Sequence, residues 1–291
     1  MKASSTQLRM GLFLAAALLA GSVAFAQTPP AQTPPAPTPQ GQTPPAAGQD
    51  KSAPLTLEGS PPPVNAEEEA AYKAFSALPN DDAAKKEQSS IDFVQKYPHS
   101  RYRAEVYNWQ VKYYFSVGKI DQMEAAADKE LELVPNDAQT LAIVGSALPR
   151  AMNANTPEPA KRLAKAEQYS QKALDLLPSL PKPPNMPDDV FAKGKDMVAS
   201  MAYSGLGLVA FRRGKFADAI PNFEKSVQLD PQPDPVNFYL LGICNEKTSH
   251  FDMAVTDFTK CSELPGGLQA TCKTNIDEAK KLGATQLSAP K

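Results

Sequence analysis

Residues 200–231 read SMAYSGLGLVAFRRGKFADAIPNFEKSVQLDP. Apolar residues recur here three and four apart, without β-branched alternation, so the stretch predicts two helices meeting at Gly214. Gly207 and Ala219 are small enough to let two antiparallel helices approach, and Phe216 and Phe223 are large enough to fill the space between them. Gly214 closes the first helix and Pro231 stops the second. Shifting the chain against itself by 35 residues aligns Gly207 with Gly242, Phe216 with Phe251, Ala219 with Ala254 and Phe223 with Phe258. A small-against-large pattern with a fixed period marks a repeat architecture.

Further units follow outward from this pair. Residues 235–264 repeat the pattern through Leu241, Gly242, Phe251, Ala254 and Phe258. Residues 104–135 keep Tyr107, Tyr114, Gly118, Ile120, Leu131 and Pro135, with Met123 at a place usually held by a small residue. Residues 65–98 have a short first helix and stop at Pro98. In 138–178, Gly145, Ala166 and Ala173 fit, Pro149 and 153–159 lengthen the turn, and Thr156-Pro157 reads as the start of the second helix. The spacing of Tyr203, Leu206, Gly207, Gly214, Phe216, Ala219, Phe223 and Pro231 resembles the tetratricopeptide repeat.

The expected fold is all-α: an α-solenoid of antiparallel helix pairs in a TPR-like superhelix, ending in a capping helix. Residues 65–178 form an N-terminal block of three units, 179–187 a proline-rich hinge, 188–283 a C-terminal block of two units plus the cap, and 284–291 a tail. Asp188 and Asp189 suit the first turn of a helix. The cap, 268–282, follows Gly266-Gly267 and carries Lys273, Asp277, Glu278, Lys280 and Lys281 on its outer face.

Ahead of the repeats lie two segments of different character. Lys2 and Arg9 precede an apolar run over 11–20, and Ala24-Phe25-Ala26 offers small residues for cleavage after Ala26. Residues 1–26 therefore read as a secretory signal peptide, since the apolar run, taken from Gly11 to Ala26, is short of the roughly 20 residues of a membrane span. With the first cysteine at Cys244, no lipid anchor is expected. Residues 27–64 hold 12 of the chain's 29 prolines and repeat the phrase QTPPA at 27–31, 32–36 and 42–46. Such a segment buries too little apolar surface to offset its ordering entropy and reads as a disordered, extended linker.

Composition and motifs exclude several functions. The formal charge of −2, and −4 without Lys2 and Arg9, gives no basic surface for nucleic acid or an anionic membrane. No phosphate-binding glycine loop, CxxC, HExxH or GxSxG motif occurs, so neither enzyme nor metal or cofactor site is expected. His99 and His250 fall at predicted turns. Trp109 and Tyr113-Tyr114-Phe115 lie at helical spacing and read as core. Cys261, one turn before the end of its helix, and Cys272, one turn into the next, are expected to meet as a disulfide in an oxidising compartment. Two free thiols, or a pairing of either with Cys244, are the alternatives.

The resemblance implies a surface for partners on the inner face of each first helix. In this sequence those positions are Asn108, Lys112 and Phe115, then Ser204, Leu208 and Arg212, then Tyr239, Ile243 and Glu246. Asn108 and Lys112 are a fragment of the family's lysine and asparagine clamp for a C-terminal carboxylate, whereas the C-terminal units present apolar groups suited to a hydrophobic or amphipathic peptide. The stretch FVQKYPHSRYRAEVYNWQ, 93–110, also resembles the helical-repeat accessory factors of bacterial cell envelopes. The expected protein is an exported interaction scaffold or adaptor, in the periplasm or secreted, whose partners are proteins or peptides. A holdase-type chaperone for exported chains is the alternative.

Overall fold

A computed structural model describes residues 65–288. The signal-peptide reading, the linker reading and the last residues of the tail lie outside the described residues. Within them the chain forms α1 (Ala66–Ala77), α2 (Ala83–Lys96), α3 (Arg103–Ser116), α4 (Ile120–Leu133), α5 (Ala138–Ala151), α6 (Pro159–Leu176), α7 (Asp188–Arg212), α8 (Phe216–Leu229), α9 (Pro235–Lys247), α10 (Phe251–Glu263) and α11 (Gln269–Ser288). These are five antiparallel pairs and a terminal helix, and the described residues contain no strand.

Local chemistry sets where the helices begin. The Asn65 carboxamide accepts from the Glu67 N–H at 3.0 Å, and Glu67, Glu68 and Glu69 place negative charge in the first turn of α1. Asp137 caps α5 by accepting from Thr140 N–H at 2.8 Å, and Asp234 caps α9 by accepting from Val236 N–H at 2.9 Å. α6 departs from the sequence reading. It starts at Pro159, preceded by Glu158 in the left-handed region, while the Thr156 hydroxyl accepts from Asn153 N–H and closes the turn before the helix.

The turns after α3, α7 and α9 end their first helices in the same way. Gly214, at φ 73°, lets Lys215 N–H reach back to the Ala210 carbonyl at 2.9 Å. One period later Ser249 takes a φ of 65°, with His250 N–H on the Asn245 carbonyl at 2.7 Å. The small-against-large pairs are in place. A Cβ at Gly207 would lie 2.7 Å from the Phe223 ring, and one at Gly242 would lie 2.6 Å from the Phe258 ring. Both rings are fully enclosed.

From the second unit onward the units are joined through their first helices, α3 touching α5, α5 touching α7, and α7 touching α9, while the first unit joins through α2 on α3. Each second helix leans on the first helix that follows, α4 on α5, α6 on α7 and α8 on α9. First helices thus form one layer of the solenoid and second helices the other. The proline-rich segment 179–187 links α6 to α7, and these helices are themselves packed together. At the centre of that junction the α5 and α7 backbones touch: a Cβ on Gly205 would sit 2.7 Å from the Gly145 carbonyl oxygen and 2.4 Å from Ser170 Oγ. Across the outside, the Arg213 guanidinium grips Glu167 with bonds of 2.9 and 2.8 Å.

α11 covers the open end of the last pair. Cys261 on α10 and Cys272 on α11 are joined by a disulfide, both enclosed beside Phe238. Cys244 is a buried free thiol whose pKa burial pushes up to about 12. The denatured, unreduced chain should therefore titrate one thiol and the reduced chain three. Replacing Cys261 and Cys272 by serine should cost about 3 kcal/mol by restoring the entropy of a short loop. Three thiols without reductant would refute the pairing.

Candidate functional site

The nine inner-face positions divide by what their side chains do. Asn108 is buried, its Nδ2 donating to Thr140 Oγ1 at 3.2 Å and Asp137 Oδ2 at 3.3 Å. Ser204 is buried likewise and donates to Asn237 Oδ1 at 2.8 Å. Both positions tie a first helix to the next unit's first helix. The Asn237 carboxamide continues to Ser226 Oγ at 3.0 Å, and Ser226 Oγ lies 3.2 Å from Ser200 Oγ, so the lock between the last two repeats is fully hydrogen-bonded. Leu208 is core, among Phe223, Leu241 and Cys244.

The other six keep part of their surface open. Lys112 is partly buried, and desolvation lowers its pKa against the pull of Asp137 and Glu130. Phe115 packs partly on the core of α3, α4 and α5. Arg212 is exposed but tied down, Nε donating to the Pro149 carbonyl at 3.0 Å and Nη2 to that of Arg150 at 3.3 Å. Tyr239 and Ile243 rest on Phe258 and Ala279 with their outer edges free, and Glu246 stands one turn beyond.

Sequence reasoning missed the polar groups inside this wall. Glu130 follows Asn108 by 22 residues, as Ser226 follows Ser204, so a carboxylate occupies the place of a hydroxyl in the inter-unit lock. It is 1 % exposed, and its Oε2 has no hydrogen-bond partner among the described residues. The signal was present only as a register: a charged residue at a position where the better repeat has a small one. Lys86 is also buried, donating to the Leu78 carbonyl at 2.8 Å and to Asn80 Oδ1 at 3.0 Å.

The aromatic residues of α3 pack as side chains of the wall. Trp109 stacks on Tyr113 at 5.0 Å, meets Phe75 edge-on, and has the Lys86 ammonium 5.7 Å from its ring centroid. His250 sits at the start of α10 with Nδ1 3.1 Å from Thr248 Oγ1. Among the described residues no group of histidine, cysteine or carboxylate side chains is arranged to hold a metal. No helix among them is long and apolar enough to cross a membrane.

This geometry defines a helical-repeat protein whose first helices from α3 to α9 touch in series. Residues 200–233, spanning the second half of α7 and all of α8, match the family model for the tetratricopeptide repeat. No curated protein matches it. Among solved structures it is similar to PilW, described as a widely conserved type IV pilus biogenesis factor, at 16% identity over 76% of this chain and 93% of that one, with a TM-score of 0.48. It is also similar to PilF of Pseudomonas aeruginosa, at 16% identity over 75% and 90%, TM-score 0.49. A thermophilic TPR protein of Thermus thermophilus is similar at 12% identity over 74% and 99%, TM-score 0.43.

Proposed function

We propose that the chain is an exported scaffold of the bacterial cell envelope that holds a peptide or partner helix along its inner face. The observation that carries this reading is the series of touching first helices from α3 to α9, with Lys112, Phe115, Arg212, Tyr239, Ile243 and Glu246 left partly open along it. The charged N-terminal pair and apolar run support export. The Cys261–Cys272 disulfide supports an oxidising compartment. The linker of 27–64 then spaces the repeats from whatever holds the N-terminal end.

Tyr239 and Ile243 anchor the apolar end of the surface, where buried aromatic and aliphatic contacts give the largest share of binding energy. Photocrosslinking in the native host, with the captured protein identified, is the direct test. Changing Tyr239→Glu and Ile243→Lys together should reduce capture at least tenfold, because both charges would be desolvated on docking. Undiminished capture by the folded double variant would remove the inner face from consideration. Equal suppression of aggregation of unrelated unfolded chains, at stoichiometric amounts and by both forms, would favour a chaperone acting elsewhere on the molecule.

A further inference from the structure

The second helices of the last two units leave a cleft on the outer side, away from the inner wall. It measures about 440 Å³, and its apolar lining comes from Phe238 and Leu241 of α9 and Val227 of α8. That volume lies within the roughly 300–1,000 Å³ of small-ligand clefts. Carboxylates stand on both walls, Glu224 on α8 and Asp257 on α10.

Asp257 is the unusual member. Its residue is 6 % exposed, and Asn245 Nδ2 donates to Oδ2 at 2.8 Å. Oδ1 receives no hydrogen bond among the described residues, yet it is not sealed in the protein, so it opens to the cleft that Asp257 lines. Neither Asp257 nor Glu224 has an ion-pair partner within 4 Å among the described residues. Lys260, one turn along α10, lines the same cleft with its ammonium over the Phe238 ring, 5.5 Å from the centroid, close enough for its charge to act on Asp257 without pairing with it. The repeat itself does not require this carboxylate: one period earlier, Asn245 and Asp257 correspond to Ala210 and Asn222.

We propose that this cleft is a second binding site, taking an arginine side chain that a partner protein presents beside an apolar residue. A guanidinium offers donors in a planar fork, so it bridges carboxylates on two walls where a lysine ammonium would act as a point charge. Its methylene stem and the flanking apolar residue cover Leu241 and Val227 and the part of Phe238 that Lys260 leaves open. Burial holds the Asp257 carboxyl up to about 6, against the Asn245 hydrogen bond and the Lys260 charge, and an arriving cation offsets that burial. The site is separate from the inner wall and stands or falls without it.

The test uses the purified protein and two tripeptides, acetyl-Leu-Arg-Leu-amide and its citrulline counterpart, an uncharged isostere. Titration followed by amide NMR should give saturable shifts at Glu224, Asp257 and Lys260 with the arginine peptide. Citrulline should bind at least tenfold more weakly, and so should arginine to Asp257→Asn, which removes the charge while keeping an acceptor for Asn245. Binding to the unaltered protein should weaken as pH falls below 6. If Asp257→Asn does not fold, Glu224→Gln on the exposed wall replaces it, with an expected loss of at least threefold. Equal binding of the two peptides, shifts that do not saturate, or unchanged affinity in the folded variant would overturn the proposal.

Discussion

Replacing Gly205 by alanine is expected to lower the thermal midpoint by roughly 8 °C, the shift that 2–3 kcal/mol produces in a domain of this size. Helix propensity alone points the other way, since alanine is favoured over glycine by about 1 kcal/mol in a helix interior. Space decides against it. The added Cβ would lie 2.7 Å from the Gly145 carbonyl oxygen and 2.8 Å from its carbonyl carbon, which are backbone atoms and have no rotamer to change. α5 and α7 would have to part along the junction that joins the third unit to the fourth, and overpacking of that kind costs typically 1–3 kcal/mol and occasionally more. Ser170→Ala separates the two obstacles. Alone, it removes a buried hydroxyl with no hydrogen-bond partner and should be neutral or mildly stabilising. Combined with Gly205→Ala it should recover little, because the Gly145 backbone remains. A Gly205→Ala chain melting at or above the unaltered protein would show that the helices are not in contact there.

Gly205 also marks where sequence reading stops. Gly207 and Gly242 could be found because each faces a phenylalanine of its own unit, and the pair recurs one period later. Gly205 faces Gly145 across two units, and no local pattern distinguishes it from an incidental helix glycine. The same division holds on the inner face. Spacing placed Asn108 and Ser204 on it, yet their hydrogen-bond partners, Thr140 and Asn237, lie 32 and 33 residues away, in the next unit. Spacing alone does not reveal that these side chains are spent on the lock. The start of α6 departs from its sequence for a related reason: Thr156-Pro157 has the chemistry of a helix start, but Glu158 adopts the left-handed region and delays the helix to Pro159. Periods and caps are local and legible, whereas contacts between units depend on the superhelix that the periods build.

Glu130 supplies the second large effect, and its sign follows from burial. In the unfolded chain its carboxyl titrates near 4.5; in the folded chain enclosure pushes it up to about 8, with the Asp137 charge adding to the rise and Thr140 and Lys112 opposing it. Between those values the folded chain holds a proton that the unfolded chain has released. Stability from this group is therefore fully present below about pH 4.5 and is lost as pH rises toward 8. Asp257, raised to about 6, acts in the same sense but is half titrated at pH 6 and nearly finished at pH 7, so from pH 7 to 8 the larger share of this change belongs to Glu130. Carboxylates held low by cationic neighbours, Glu124 beside Lys165 and Arg162 and Glu167 beside Arg213, lose their contribution only at more acid pH. From pH 6 to 8 the unaltered protein should lose about 2 kcal/mol to Glu130 ionisation. Glu130→Gln keeps an acceptor for Thr140, offers Asp137 a donor and carries no charge, so it should keep only the small Asp257 slope between pH 6 and 7, be nearly flat from pH 7 to 8, and be more stable than the unaltered protein at pH 8. Parallel denaturant titrations of the two proteins at pH 6, 7 and 8 measure this directly, and identical slopes would mean that Glu130 stays ionised in the folded chain. Such an outcome would require Lys112 to close on the carboxylate, which would withdraw its ammonium from the inner face.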